Sequence, residues 1–186
     1  MSAAPAPSPN VAGRTCAACT LCCTIMGIKE LDKPRNTVCP HSRDGVCCTI
    51  YDARPRECAL FYCTWLYAPD LGAHWRPAEC GMVLHYDPHS LRMEVHVDEA
   101  RPQAWREAPF YDELKAWARA SAPARGQVIV WIGEQLTAVL PDRDKPLGEM
   151  RTDQLLVSME YQTLAGVNYD IEVMDKDDPR LQNPAQ

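Results

Sequence analysis

Nine of the ten cysteines in this 186-residue chain fall between residues 16 and 63, and four of them are spaced Cys16-x-x-Cys19-x-x-Cys22-Cys23. That density constrains the fold more than any other feature. Reduced thiols so close together gain little unless something binds them, and thiolates are the soft ligands that select zinc, copper(I) and iron–sulfur clusters. The same stretch has almost no periodicity and is rich in turn signals: Lys33-Pro34, Cys39-Pro40, Asp44-Gly45 and Arg54-Pro55. Such a segment is expected where metal bonds substitute for a hydrophobic core and fold the module.

Three chemistries compete for these cysteines. Disulfides need an oxidising compartment. Met1 to Arg14 has neither the cationic start nor the apolar h-region of an export signal, so it reads as a disordered lead on a cytoplasmic protein. Zinc wants four N or S ligands, usually from two C-x₂₋₄-C turns. Cys16-x-x-Cys19 is one such turn, Cys58-x₄-Cys63 is a looser pair, and Cys39 and Cys48 can complete the set. A four-iron cluster uses C-x₂-C-x₂-C and a cysteine before proline. Cys16, Cys19 and Cys22 reproduce the triplet and Cys39-Pro40 follows, although across a longer gap. In an extended backbone Cys22 and Cys23 would point to opposite sides, which favours two adjacent sites or one enlarged one.

The spacing of Cys16, Cys19, Cys22, Cys23 and Cys39, followed by Cys48-Thr49-Ile50-Tyr51-Asp52-Ala53-Arg54-Pro55-Arg56-Glu57-Cys58, resembles the YkgJ-type cysteine-cluster family. That family is described as a zinc- or iron-chelating domain with a CxxCxxCC signature. The resemblance covers residues 14–67 and implies eight metal ligands: Cys16, Cys19, Cys22, Cys23, Cys39, Cys48, Cys58 and Cys63. The implied cofactor is an iron–sulfur cluster of the four-iron type or Zn²⁺. Cys47 stands second to Cys48, and Thr20 departs from the glycine often found after the second cysteine. Cys80 lies outside the motif and reads as a small core residue. Pro55 presets a turn that returns Cys58 to the cluster. Arg54 is either a donor to sulfur or a surface cation, and Tyr51 reads as packing.

The remaining residues carry periodic patterns. Met82 to Tyr86 and Leu91 to Val97 alternate around Asp87-Pro88-His89-Ser90, a hairpin with His85 and His96 as a cross-strand surface pair. Phe110, Leu114 and Trp117 mark a helix within 103–120. Val128–Ile132 with Leu136–Leu140, and Leu155–Tyr161 with Tyr169–Val173, predict two further hairpins. The expected architecture is α+β: a metal-stapled N-terminal module (14–67) packed on an antiparallel sheet with one main helix (68–176), between the lead (1–13) and a polar tail (177–186).

Net charge is −6, with +2 over residues 14–65, −3 over 66–140 and −5 over 141–186. An acidic chain without a basic stripe is a poor ligand for nucleic acid, and no apolar run reaches a membrane span. Nucleotide-binding, serine-hydrolase and zinc-protease motifs are absent. The function expected is therefore metal binding with a structural, redox or metal-handling role and a protein partner. Two alternatives are a cluster-dependent enzyme, since similar cysteine motifs occur in flagellin lysine N-methylases, and a zinc-ribbon-like adaptor that docks a protein through its hairpins.

Overall fold

The computed structural model describes residues 10–16, 19–43, 47–164 and 166–182. The Asp44-Gly45 turn and most of the N-terminal lead lie outside these residues. The chain is α+β and divides into two compact units: Met1–Tyr86 with Val95–Trp105, and Asp87–Glu94 with Arg106–Gln186.

The first unit is built from short pieces: α1 (Leu21–Ile25), β1 (Ser42–Arg43), β2 (Cys47–Cys48), α2 (Arg56–Leu60), α3 (Thr64–Tyr67) and α4 (Pro77–Cys80). Helices of four or five residues cannot persist on propensity alone, so tertiary contacts must fix them. Ile25, Trp65, Trp75, Met82 and Leu84 supply the apolar part of that core. Cations supply the rest. Arg14 donates to the carbonyls of Trp65, Ala68 and Leu71 at 2.6, 2.8 and 2.5 Å, tying the residues before Cys16 to the chain around α3. Lys33 is only 6% exposed, and its Nζ donates to the carbonyls of Thr24, Met26 and Pro34.

The strands β3 (Met82–Asp87) and β4 (Arg92–Val97) flank the expected turn, where Asp87 accepts from the His89 amide and the Ser90 hydroxyl. The histidines do not form the expected surface pair. His96 is 3% exposed and lies 2.9 Å from Arg35 Nη2, whereas His85 stacks on Phe61. The environment of each ring outweighs the alternation that suggested the pairing. Cys80 is 3% exposed, donates to the Met82 carbonyl, and is pushed up to about 11 by burial.

In the second unit, α5 (Phe110–Ser121) buries Phe110, Leu114 and Ala118, a stripe at i, i+4 and i+8. Trp117, expected on that stripe, is only half-buried. Asp112 and Glu113 in the first turn and Arg119 in the last complement the helix dipole. The strands β5 (Gln127–Ile132) and β6 (Gln135–Val139) form the expected hairpin, with Trp131 opposite Leu136.

An unexpected strand, β7 (Asp144–Glu149), pairs with β6 across a register shift at Leu136/Thr137. It contains Pro146 and Gly148, residues that usually interrupt a strand. As the last strand in its sheet, β7 tolerates a missing donor. The third hairpin, β8 (Gln154–Thr163) with β9 (Gly166–Asp175), packs Leu156 and Ile171 on Ile129, Leu136, Ala138 and Leu140. Gln127 bridges the layers, donating to Leu156 O and Ser158 Oγ. The polar tail includes a short helix, α6 (Pro179–Gln182), whose Arg180 pairs with Glu172 at 3.1 Å. No helix among the described residues is long and apolar enough to cross a membrane.

Candidate metal centre

All eight cysteines implied by the motif, and Cys47, line one cavity of about 280 Å³ in the first unit. Cys80 does not. The local folds that bring them together are simple. The Cys19 amide donates to the Cys16 carbonyl at 3.0 Å. Cys22 and Cys23 follow inside α1. The Cys39 amide then donates to the Cys23 carbonyl at 3.0 Å, and the Ser42 amide to the Cys39 carbonyl at 2.9 Å. The β1–β2 ladder sets Cys48 opposite Ser42. Cys58 sits in α2 and Cys63 at the start of α3.

Cys22 and Cys23 are helical neighbours, not extended ones. Consecutive helical side chains diverge by about 100° rather than 180°, so the two sulfurs stay within reach. The Cys22 thiol donates to the Cys23 sulfur, which raises Cys22 well above the usual thiol value and lowers Cys23 to about 7. The Lys33 charge and a Ser42 hydrogen bond also favour the Cys23 thiolate, against burial. Burial dominates elsewhere. It raises Cys16, Cys47 and Cys58, and pushes Cys63 up to about 12.

Two cations compensate the sulfurs. Burial lowers the Lys33 pKa, while Cys39, Cys23 and Cys58 pull it back up. Arg54 lies 4.0 Å over the Tyr51 ring, and its charge acts on Cys16 and Cys58. Tyr51 is 47% exposed, so it covers Arg54 at the rim and is not a core residue. Carboxylates fix α2: Glu30 accepts from the Arg56 and Glu57 amides at 3.1 and 2.9 Å, and Glu57 accepts from the Lys29 amide at 2.6 Å. The free amides of a helix's first turn are satisfied by a residue remote in sequence.

The donor set fits a thiophilic metal. Lys33, Glu30 and Glu57 carried no signal in the sequence beyond a turn and ordinary surface charge. Their roles arise only when residues 29–33 meet residues 56–58. His41 lines the same cavity. Among the described residues, no three His, Cys, Asp or Glu side chains converge on a point closely enough to hold an ion, so the thiols lie along the cavity wall. No protein-family profile, curated protein or solved structure matches the chain.

Proposed function

We propose that the first unit is a metal-binding module whose N-terminal cysteines hold a thiolate-ligated centre, an iron–sulfur cluster ahead of zinc. The observation that carries this reading is the cavity of about 280 Å³ faced by nine thiols. Four thiolates on one zinc ion sit about 2.3 Å from the metal and close around it. Sulfurs spread over a larger cavity suit a polynuclear centre better. The CxxCxxCC resemblance supports the same eight ligands, and the buried Lys33 supplies positive charge beside Cys23, Cys39 and Cys58.

Held by the cysteines of α1, α2 and the start of α3, a bound metal would cross-link these short helices, and a cluster would supply a one-electron couple. The chain itself provides the thiolates and a partly apolar wall that includes Met26, Ile28, Phe61 and Leu66. Such a wall limits water access and tunes potential. A structural, redox or metal-handling role follows, with a protein as the class of partner that suits the acidic charge.

The test is anaerobic purification, followed by visible absorption and by iron, sulfide and zinc analysis. Broad visible absorption with iron and sulfide in equal amounts is the expected result. A colourless protein containing zinc would make the centre structural. A metal-free protein that also fails to take up iron, zinc or cobalt would overturn the proposal.

A further inference from the structure

We infer that, on loading, the thiols along the cavity wall would draw together into two adjacent four-thiolate centres, one from Cys16, Cys19, Cys22 and Cys63 and the other from Cys23, Cys39, Cys48 and Cys58. This division rests on the metal-binding reading above. Four ligands is the number shared by structural zinc and a four-iron cluster, so the division does not depend on which metal is native.

A second, smaller cavity of about 30 Å³ carries the argument. It is lined by Cys16, Cys19, Cys22 and Cys63, together with Trp65 and Val83. These four cysteines therefore form a wall between two spaces. Cys23, Cys39, Cys48 and Cys58 line the larger space and not the smaller one.

The backbone groups the sulfurs the same way. Cys39 is tied to Cys23 by its amide, and Ser42, bonded to Cys39, is the ladder partner of Cys48. Cys19 is tied to Cys16 by its amide, and Cys22 follows in α1.

The junction is the Cys22–Cys23 pair, whose side chains leave α1 in directions about 100° apart. Cys47 belongs to neither set, because its thiol donates to the Cys19 carbonyl at 3.4 Å. Its left-handed φ of 71° falls at the first residue of β2.

The test uses the full chain, stripped of metal and titrated anaerobically with Co²⁺, with thiolate-to-cobalt absorption as the readout. The wild type should saturate at two ions. Cys19→Ser and Cys58→Ser should each saturate at one ion, the pair Cys19→Ser/Cys63→Ser still at one, and Cys19→Ser/Cys58→Ser at none. A wild type saturating at one ion overturns the division and leaves the metal-binding reading intact. No cobalt uptake overturns both.

A second measurement avoids substitutions. At one Co²⁺ per wild-type chain, alkylation followed by mass spectrometry should show protection in blocks, covering all of one set or all of the other within each molecule. Protection that mixes Cys58 with Cys63 in the same molecule overturns the division.

Discussion

The Cys39 amide donates to the Cys23 carbonyl at 3.0 Å, so two thiols separated by a long turn-rich loop are joined through backbone. The bond sets their Cα positions whatever the sulfurs carry. Cys39 is also 6% exposed, and its thiol is therefore sheltered while Cys48 and Cys58 remain partly open. The metal-binding reading requires that ligand loss and core loss be separable, which the first prediction addresses.

Cys58→Ser should lower bound metal, and Cys80→Ala should leave metal content unchanged. Cys80 is buried away from the cavity, so its cost is confined to stability, about 1 kcal/mol for a small buried side chain. Metal analysis of the two purified variants checks this. Equal metal loss in both would contradict the assignment of ligands.

Lys33→Met should destabilise the first unit by about 3 kcal/mol. The substitution keeps the stem but removes three donors to buried carbonyls, and a hydrogen bond to a charged group contributes about 1.5–3 kcal/mol. Urea unfolding of the metal-free variant, followed by hydrogen exchange at residues 24–34, reports it. An unchanged midpoint would show that water replaces the ammonium without cost.

Asp170→Asn should weaken the second unit in a pH-dependent way. Burial opposes the Asp170 carboxylate, but the Lys145 contact at 2.8 Å, the Ile171 amide and Arg143 outweigh it, so its pKa is lowered. A carboxyl whose folded pKa is lowered stabilises the fold above its ordinary value, near 3.9, and loses that contribution as pH falls through the folded value. The variant should be about 1 kcal/mol less stable at neutral pH. The gap between the two proteins should narrow as pH falls below the ordinary carboxyl value, and a gap that stays constant down to acid unfolding would refute the linkage.

Leu136→Ala should cost about 2–5 kcal/mol, the range for emptying a well-packed site. Leu136 is 1% exposed, lies opposite Trp131 and Gly148, and packs with Ile171. Thermal unfolding with parallel metal analysis checks it: the midpoint should fall and the metal content should stay constant.

The parts legible in the sequence are those with a full period. The helix and three hairpins announce themselves through Phe110 and Leu114, Val128–Ile132, and Tyr169-Ile171-Val173. Two kinds of element do not. The helices α1 to α4 span at most five residues, barely more than one turn, so no periodic signal accumulates. The strand β7 hides behind Pro146 and Gly148, which punctuate a sequence but are tolerated at a sheet margin. In the site, the cysteine spacing could be read, whereas the burial of Lys33 could not, because it depends on carbonyls that only the folded turn gathers. The expectation that Cys22 and Cys23 diverge fully assumed an extended backbone, and one turn of helix replaced it.

On the metal-binding reading, the reciprocal contacts of Glu30 and Glu57 bear on how a centre would be loaded. They hold the helix carrying Cys58 through carboxylate–amide bonds that need no metal. A metal-free chain would thus keep Cys58 near the other cysteines, and an incoming ion would meet an assembled basin instead of a slack loop. Reloading would then be fast and close to first order in free metal, and the same carboxylates would slow the escape of a metal ion after one sulfur lets go.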